Sequence, residues 1–222
     1  MEQRIIRVTG KGQLKAHPDM TRITMTIEGV KRDYDKALKS SAEDTDSLKH
    51  ILEMEGFQRE EVKTLSFSVD IENESYKDKN GNWKSHFAGY RYRHIVKVEF
   101  PSDNKRLGDI LNVIAGNALV RPEFRFSFFV KDTEAVKNEL LGKAVKDAKS
   151  KAEILAQAAG VTLKDIVQID YSWGKIDLEV EPMHGMMMEK MMALPDDAGM
   201  DLDIEPDDIE MSDTVTVIWC IE

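Results

Sequence analysis

The amino-acid sequence predicts an α+β fold, a two-layer structure in which helices cover one face of a mainly antiparallel sheet. Segments of strand-like alternation recur along the chain and are separated by amphipathic helical patterns. Each strand alternates between apolar and polar residues, whereas strands of all-parallel sheets tend to be apolar on both faces. From residue 21 to residue 130 the element order is β-α-β-β-α-β, as in ferredoxin-like folds, and an α-β-β segment is appended to this core.

The first two strands have signals of different strength. Residues 4–8 are a short strand candidate, and the Gly-Lys-Gly segment 10–12 and the His-Pro-Asp segment 17–19 are predicted as turns. Residues 21–30 alternate cleanly, with Ile23, Met25 and Ile27 on the apolar face. This second segment is therefore predicted as a half-buried strand.

A helix and a long hairpin follow. Apolar or small residues recur every three or four positions across residues 34–52, and Gly56 is suited to end this helix in a left-handed conformation. Alternation returns at residues 65–71 and again at residues 90–100. The Asn-Gly pair at 80–81 is a strong hairpin-turn signal, so these two runs are predicted to pair as antiparallel strands.

Two more helices and three strands complete the pattern. A short helix is predicted at residues 104–115 and a strand at residues 124–128. Asp132 then caps a long helix that Gly160 ends. Small side chains on its inner face allow close packing on a sheet, and that face is predicted to consist of Leu140, Ala144, Ala148, Ala152 and Leu155. The last predicted strands are residues 167–171 and 215–221.

The charge distribution argues against a nucleic-acid-binding protein. The net charge is −10, and nine acidic residues without any Lys or Arg lie between residues 194 and 213. The rest of the chain is therefore close to neutral. A nucleic-acid binder needs a basic surface that releases counterions from phosphates, so we expect no nucleic-acid partner.

The sequence also limits the expected compartment. It contains no apolar run of the ~20 residues that a membrane span requires. Residues 1–7 lack the apolar core of a signal peptide, and Cys220, the single cysteine, permits no disulfide within one chain. These features predict a cytoplasmic protein without a membrane span. A periplasmic or envelope location would require that a leader had been removed.

Residue types that carry catalysis or bind metals are scattered along the chain. The histidines are His17, His50, His86, His94 and His184. None of them has the spacing of paired zinc ligands. Gly-Lys-Gly at 10–12 is too short for a phosphate loop, and Pro206 replaces the glycine that a calcium loop needs. We therefore predict a protein that is not an enzyme and has no cofactor or metal. His94, on the apolar face of its strand, is predicted as a hydrogen-bonded core or interface histidine.

Residues 174–213 are predicted as a loop insertion within a single domain that spans residues 1–222. The first half of the loop is methionine-rich and the second half is acidic. Thioether side chains at this density favour packing against an apolar groove or a partner surface. The alternative function is Cu(I) handling through soft sulfur ligands. The methionine cluster consists of Met183, Met186, Met187, Met188, Met191 and Met192.

Two large aromatic residues, Trp83 and Phe87, lie near the predicted hairpin tip among several lysines. They either stand clear of the core or fold back onto their own sheet. Exposed aromatic side chains frequently anchor protein interfaces. We therefore predict that Trp83, Phe87 and the methionine cluster form interfaces with a second copy or with a protein partner.

Several short motifs occur in a fixed order along the chain. Val-Thr-Gly-Lys-Gly at 8–12 is the first, the alanine ladder at 144–156 precedes Gly160, and the Val-Thr-Val-Ile-Trp strand at 215–219 is the last. In their order and spacing these motifs resemble the SIMPL domain family. The resemblance implies an α+β fold, a tendency to oligomerise, and roles in signalling-adaptor binding or envelope stress, and it transfers no catalytic residues. The predicted function is that of an oligomeric binding or scaffold protein.

Overall fold

The structure, a computed structural model, describes residues 4–116, 120–171, 178–181 and 206–222. Three α-helices, eight strands and a short 3-10 turn at Arg59–Glu61 lie within these residues. In chain order they are β1 (Ile5–Ala16), β2 (Met20–Lys31), α1 (Tyr34–Met54), β3 (Lys63–Lys77), β4 (Trp83–Pro101), α2 (Asn104–Gly116), β5 (Glu123–Phe129), α3 (Thr133–Ala159), β6 (Leu163–Asp170), β7 (Glu179–Val180) and β8 (Ile209–Ile221).

The chain divides into two compact units. Unit 1 consists of Met1–Asp19, Phe129–Val180 and Pro206–Glu222, and unit 2 consists of Met20–Phe128 and Glu181–Glu205. Unit 1 is therefore assembled from segments that are distant in sequence, whereas most of unit 2 is one continuous segment. Among the described residues, no helix is both long and apolar enough to cross a membrane.

Unit 2 has the ferredoxin-like strand arrangement. Its strands lie in the order β3-β4-β2-β5, and β4 pairs antiparallel with both β2 and β3. The two strands that flank α1 in sequence are therefore parallel to each other, with β4 between them. This is the split βαβ arrangement. The predicted α+β class, with antiparallel sheets, is confirmed.

One hydrophobic core joins α1, α2 and the inner sheet face of unit 2. Tyr92 on β4 is buried in it and donates a hydrogen bond from its hydroxyl to the Asp44 carboxylate on α1. Burial and this carboxylate both raise the pKa of Tyr92. The Tyr92 ring passes over β2 at Gly29, where a Cβ atom would lie 2.5 Å from the Tyr92 Oη. Glycine at this position thus makes room for the ring.

Unit 1 repeats the split βαβ arrangement with its own elements. Its sheet has the order β1-β8-β6, and β8 is antiparallel to both of its neighbours. α3 lies in sequence before β6 and packs on the sheet through small side chains. The buried residues of this contact are Val8, Ala144, Ala148, Ala152, Val215, Val217 and Trp219.

The predicted turn at residues 10–12 is wrong, because Gly10, Lys11 and Gly12 lie in the middle of β1. A Cβ atom on Gly10 would be 2.1 Å from the Ala144 carbonyl oxygen, and one on Gly12 would be 2.2 Å from the Leu140 carbonyl oxygen. The glycines are therefore required by the close approach of α3 and not by a turn. The short strand predicted at residues 4–8 extends through them to Ala16 for this reason.

The predicted ends of α3 are confirmed. The Asp132 carboxylate accepts a hydrogen bond of 2.9 Å from the Ala135 N–H, and Gly160 has a left-handed φ of 67°. Leu155, however, is 49% exposed, so its prediction as an inner residue is wrong. The four-residue ladder continues through Ala156, and Leu155 lies about 100° from Ala156 around the helix.

The last strand is longer than predicted. β8 begins at Ile209, so the final residues of the predicted loop 174–213 belong to the sheet. Ile209 and Met211 are buried against Val130 and Leu140. The acidic residue between them, Glu210, points to solvent and pairs with Lys15 at 2.5 Å. The acidic composition of this segment led to the prediction of a loop, although its residues from Ile209 onward form a strand with one apolar face.

Candidate interaction surface

The β3–β4 hairpin continues past the end of β2. β2 pairs with β4 only from Tyr90 to Pro101, whereas β3 remains paired with β4 as far as Lys77, which lies opposite Trp83. Residues 72–77 and 83–89 therefore form a two-stranded ribbon that no other described strand joins, which we call the hairpin arm. Such a ribbon exposes both of its faces.

The turn of the hairpin arm is ordered by Asp78. Its carboxylate accepts hydrogen bonds from the backbone N–H groups of Asn80 (2.9 Å) and Asn82 (3.0 Å). These bonds, followed by a salt bridge of 3.3 Å to Lys84, lower the pKa of Asp78. Gly81 has φ of 81°, which suits the predicted Asn-Gly turn. The tip is therefore a defined turn.

Trp83 is the most exposed large apolar side chain of the described residues, at 70% of its surface. The Lys77 ammonium lies 5.1 Å from the centroid of its ring. A cation at this distance fixes the orientation of an indole without removing it from solvent. Trp83 thus presents a large aromatic surface on the hairpin arm.

Phe87 lies at the base of the hairpin arm and is 51% exposed. Its ring packs edge-on against Tyr90 at 5.3 Å, and Tyr90 packs in the same way against Tyr34 of α1 at 5.5 Å. Phe87 therefore leans onto its own sheet while half of its surface stays in solvent. Of the two predicted arrangements, Trp83 adopts the one that stands clear of the core. Phe87 is intermediate between standing clear and folding back onto its own sheet.

An apolar row on β3 lies beside these aromatics. Phe67, Val69 and Ile71, which we call the β3 row, are opposite His94, Tyr92 and Tyr90 of β4, and those three residues face α1. α1 covers β2 and β4 but leaves most of β3 open, so Phe67 is 47% exposed and Ile71 is 63% exposed. The β3 row is thus an apolar strip along the edge of the sheet.

The opposite face of β3 is polar and charge-balanced. The Arg91 guanidinium donates two hydrogen bonds to the Glu72 carboxylate, at 2.7 and 2.8 Å, and also lies 3.5 Å from Glu28. The hydrogen bonds from Arg91 lower the pKa of Glu72. This face is therefore suited to contact with water, in contrast to the β3 row.

His94 is held as a neutral imidazole. The Thr45 hydroxyl donates to the Ser41 carbonyl oxygen at 2.7 Å, so it accepts the hydrogen bond from His94 Nδ1 at 2.8 Å. Nε2 then accepts from the Thr64 hydroxyl at 2.9 Å. Burial, and secondly the positive charge of Lys49, lower the pKa of His94. The prediction of a hydrogen-bonded histidine is confirmed.

Unit 1 contains an open polar groove at the end of β6. The groove has a volume of about 420 Å³ and is lined by Ile169, Asp170, Tyr171, Thr214 and Thr216. Its polar groups bond to neighbouring side chains, since the Tyr171 hydroxyl donates to Asp213 at 2.9 Å and Thr216 bonds to Thr9 at 2.8 Å. Within the described residues, no three His, Cys, Asp or Glu side chains are grouped as metal ligands would be.

The structure brings only part of the predicted interface together. Trp83 and Phe87 lie on the same hairpin arm, four residues apart on one strand. The predicted cluster Met183, Met186, Met187, Met188, Met191 and Met192 lies outside the described residues. Sequence reasoning did not predict the exposure of the β3 row, because its alternation is also that of a core strand. No sequence signal separates the two cases, because the exposure follows from the strand order, in which β4 lies between β3 and the strand before α1.

The comparisons with known proteins add one finding. The sequence profile of the SIMPL family, described as a protein of unknown function (DUF541), matches residues 6–219 of the 222-residue chain. A comparison with curated proteins finds no match. The matched segment extends across both units, from the first residues of β1 to the last residues of β8. The chain therefore belongs to the SIMPL family.

Proposed function

We propose that this chain is a non-enzymatic binding protein that assembles into a homo-oligomer and holds a protein partner. The observation that carries this proposal is the exposure of Trp83, 70%, on an arm with an ordered turn. Tryptophan is enriched in the contacts that dominate binding energy, and an ordered arm loses little conformational entropy when it binds. The half-exposed Phe87 ring extends the same apolar surface toward α1.

The hydrogen bonds of His94, the best candidate for a general base, support the non-enzymatic part of the proposal. Both ring nitrogens of His94 are already engaged by threonine hydroxyls. A general base needs a free nitrogen within hydrogen-bond reach of a substrate proton. His94 is therefore better suited to joining α1 and β3 than to proton transfer. A role in stress or signalling is part of the same proposal and rests on the family resemblance.

The test replaces both aromatic residues of the hairpin arm. We expect Trp83→Ser with Phe87→Ser to lower the light-scattering mass toward the 25.3 kDa of one chain, because the contacting surface is lost. The matched control is Met54→Ser, which removes a 63% exposed apolar side chain from the end of α1. Circular dichroism should be native for both variants. An unchanged mass in the double variant would contradict the role of the hairpin arm.

The partner is tested separately from assembly. Wild-type protein and the double variant are each used to capture partners from native lysate, with Met54→Ser as the control. Proteins that bind through the hairpin arm should be retained by wild type and by the control and lost from the double variant. If all three capture the same proteins, the hairpin arm is not the binding surface.

A further inference from the structure

The free edge of β3 has a regular central segment. β3 is the edge strand of its sheet, and no described strand pairs with its outer side. Its pairing with β4 shifts register between Thr64 and Ser66 and again between Glu72 and Asn73. Residues 66–72 between these shifts are regular. A regular edge strand presents unpaired backbone N–H and C=O groups that are a template for another strand.

The midpoint of this regular segment is Val69, and the segment is self-complementary about it. In an antiparallel pair, residues directly opposite one another share a face of the sheet. A two-fold axis at Val69 would place Phe67 opposite the second copy's Ile71 and the two Val69 side chains opposite each other. All three positions belong to the exposed β3 row. The apolar strip of one copy would therefore cover that of the other.

The charges of the polar face satisfy the same register. Ser68 would lie opposite the second copy's Asp70, and Ser66 opposite the second copy's Glu72, so carboxylates meet hydroxyl donors and not one another. Glu72 is already neutralised by Arg91 within its own sheet. A shift of the axis by one residue, to Asp70, would bring two carboxylates face to face, which is unfavourable. The register centred on Val69 avoids this repulsion.

We propose that β3 pairs with β3 of a second copy, antiparallel and about a two-fold axis at Val69, and so joins the two sheets edge to edge. This proposal rests on the assembly proposed above and adds a second contact to that of the hairpin arm. Backbone hydrogen bonds join the strands, and both β3 rows form the floor of one apolar groove on the side that carries α1. The hairpin arms extend beyond the paired segment, so Trp83 remains available for the contact proposed above.

A covalent trap tests this register. Seven paired residues form a smaller contact than a standard interface of ~1,600 Å², so the dimer should be concentration-dependent and a trap is preferable to a mass measurement. Val69→Cys is made in a Cys220→Ser background. Cα atoms of opposed residues are about 4.5–5.5 Å apart, within the range that a disulfide spans. Under mild oxidation we expect a linked dimer to form at least ~10-fold faster than with Met54→Cys in the same background.

A mixing experiment checks the register independently of Val69, which packs partly against the core. Phe67→Cys alone and Ile71→Cys alone should not link, because identical residues would be four positions apart along the strand, about 13 Å. A mixture of the two variants should link rapidly, since Phe67 faces the second copy's Ile71. The proposal is overturned if the mixture links no faster than either variant alone, or if Val69→Cys links no faster than the control.

The two proposals fail separately. Adding Trp83→Ser and Phe87→Ser to the Val69→Cys protein should leave the linking rate unchanged, because both aromatics lie outside residues 66–72. Rapid linking without loss of mass in the arm variant would support the β3 pair and contradict the role of the arm in assembly. Loss of mass in the arm variant, together with slow linking at Val69, would support the arm and overturn the β3 pair.

Discussion

The two units share one strand arrangement but differ at the edges of their sheets. In unit 1 the order β1-α3-β6-β8 places the last strand between the other two, and in unit 2 β2-α1-β3-β4 does the same. Each therefore leaves the strand after its helix at an edge. In unit 1 that edge strand, β6, changes register twice within eight residues, whereas β3 keeps a regular segment of seven residues. Register shifts blunt an edge, so β6 is protected and β3 is open.

The other edge of the unit 1 sheet is protected as well. β1, the other edge strand of the unit 1 sheet, has a backbone N–H at Lys11 that donates to the Asp147 carboxylate at 2.7 Å. A carboxylate bound to an edge amide blocks strand addition there. Hydrogen bonds from Lys151 and from this amide lower the pKa of Asp147. Shared topology therefore does not fix which edge of a protein is open to a partner; a few side chains and bulges do.

The two units also differ in helix packing, which is closest where α3 meets Gly10 of β1. The first prediction tests this contact. Gly10→Ala should lower the free energy of unfolding by about 3 kcal/mol, because the new Cβ meets the backbone of α3, which cannot move aside cheaply. Urea denaturation measures this loss. Gly142→Ala is the control, since nothing lies within 4 Å of a Cβ atom at this position of α3. It should raise stability by about 0.5–1 kcal/mol.

If Gly10→Ala were as stable as wild type, the close contact between β1 and α3 would not be a determinant of unit 1. The two units would then differ only at the edges of their sheets. A fall in stability for Gly142→Ala would show instead that α3 tolerates no added methyl group. The loss in Gly10→Ala could then not be attributed to the close contact between β1 and α3.

The second prediction concerns Gly29, a glycine on β2 of unit 2. Gly29→Ala should cost about 1–2 kcal/mol, less than Gly10→Ala, because the added Cβ meets a side chain and not backbone. Displacing Tyr92 also weakens its hydrogen bond to Asp44. In a double-mutant cycle with Tyr92→Leu, the cost of Gly29→Ala should largely disappear. Additive effects would show that Gly29 is needed for another reason.

The third and smallest predicted effect is a pH dependence specific to unit 2. Because the pKa of His94 is lowered in the folded state, the unfolded chain binds a proton there more readily, near pH 6.5. The stability due to neutral His94 is therefore fully present above about pH 6.5 and is lost as pH falls below it. His94→Gln should unfold with a flatter pH profile between pH 7 and pH 5 than wild type.

His86→Gln provides the matched control, because His86 is exposed on the hairpin arm beside Glu74. Its profile should follow that of wild type. Parallel profiles for wild type and His94→Gln would contradict the assignment of a neutral, hydrogen-bonded His94.

Much of the fold follows from local signals in the sequence. Helix ends were predictable where a single residue performs a defined task, as Asp132 does by capping and Gly160 by adopting a left-handed φ. Alternation was sufficient to predict the strands of unit 2, because one face of each is apolar. Gly10 and Gly12 were misinterpreted because glycine serves both turns and close packing, and only the position of α3 decides between them.

The candidate surface was less predictable than the fold. The turn signal before Trp83 and Phe87 predicted that both lie near a hairpin tip, but it left open whether they stand clear of the core or fold back onto their own sheet. The exposure of Phe67 and Ile71 could not be predicted, because the same alternation describes a strand under a helix and a strand beside one. Exposure of the β3 row depends on strand order and on the limited reach of α1, and both are properties of the tertiary structure.

The pairing of β1 with β8 has a consequence for the order of folding. Thr9 and Thr216, which bond across this pair, are 207 residues apart in sequence. During synthesis, β1 must wait without its partner until the last strand is made, while the continuous segment Met20–Phe128 has all its strands and helices much earlier. Closing so long a loop is slow, because its entropy is lost before any contact forms. Unit 2 should therefore fold first, and the nascent chain should carry an unpaired β1 until β8 has been made.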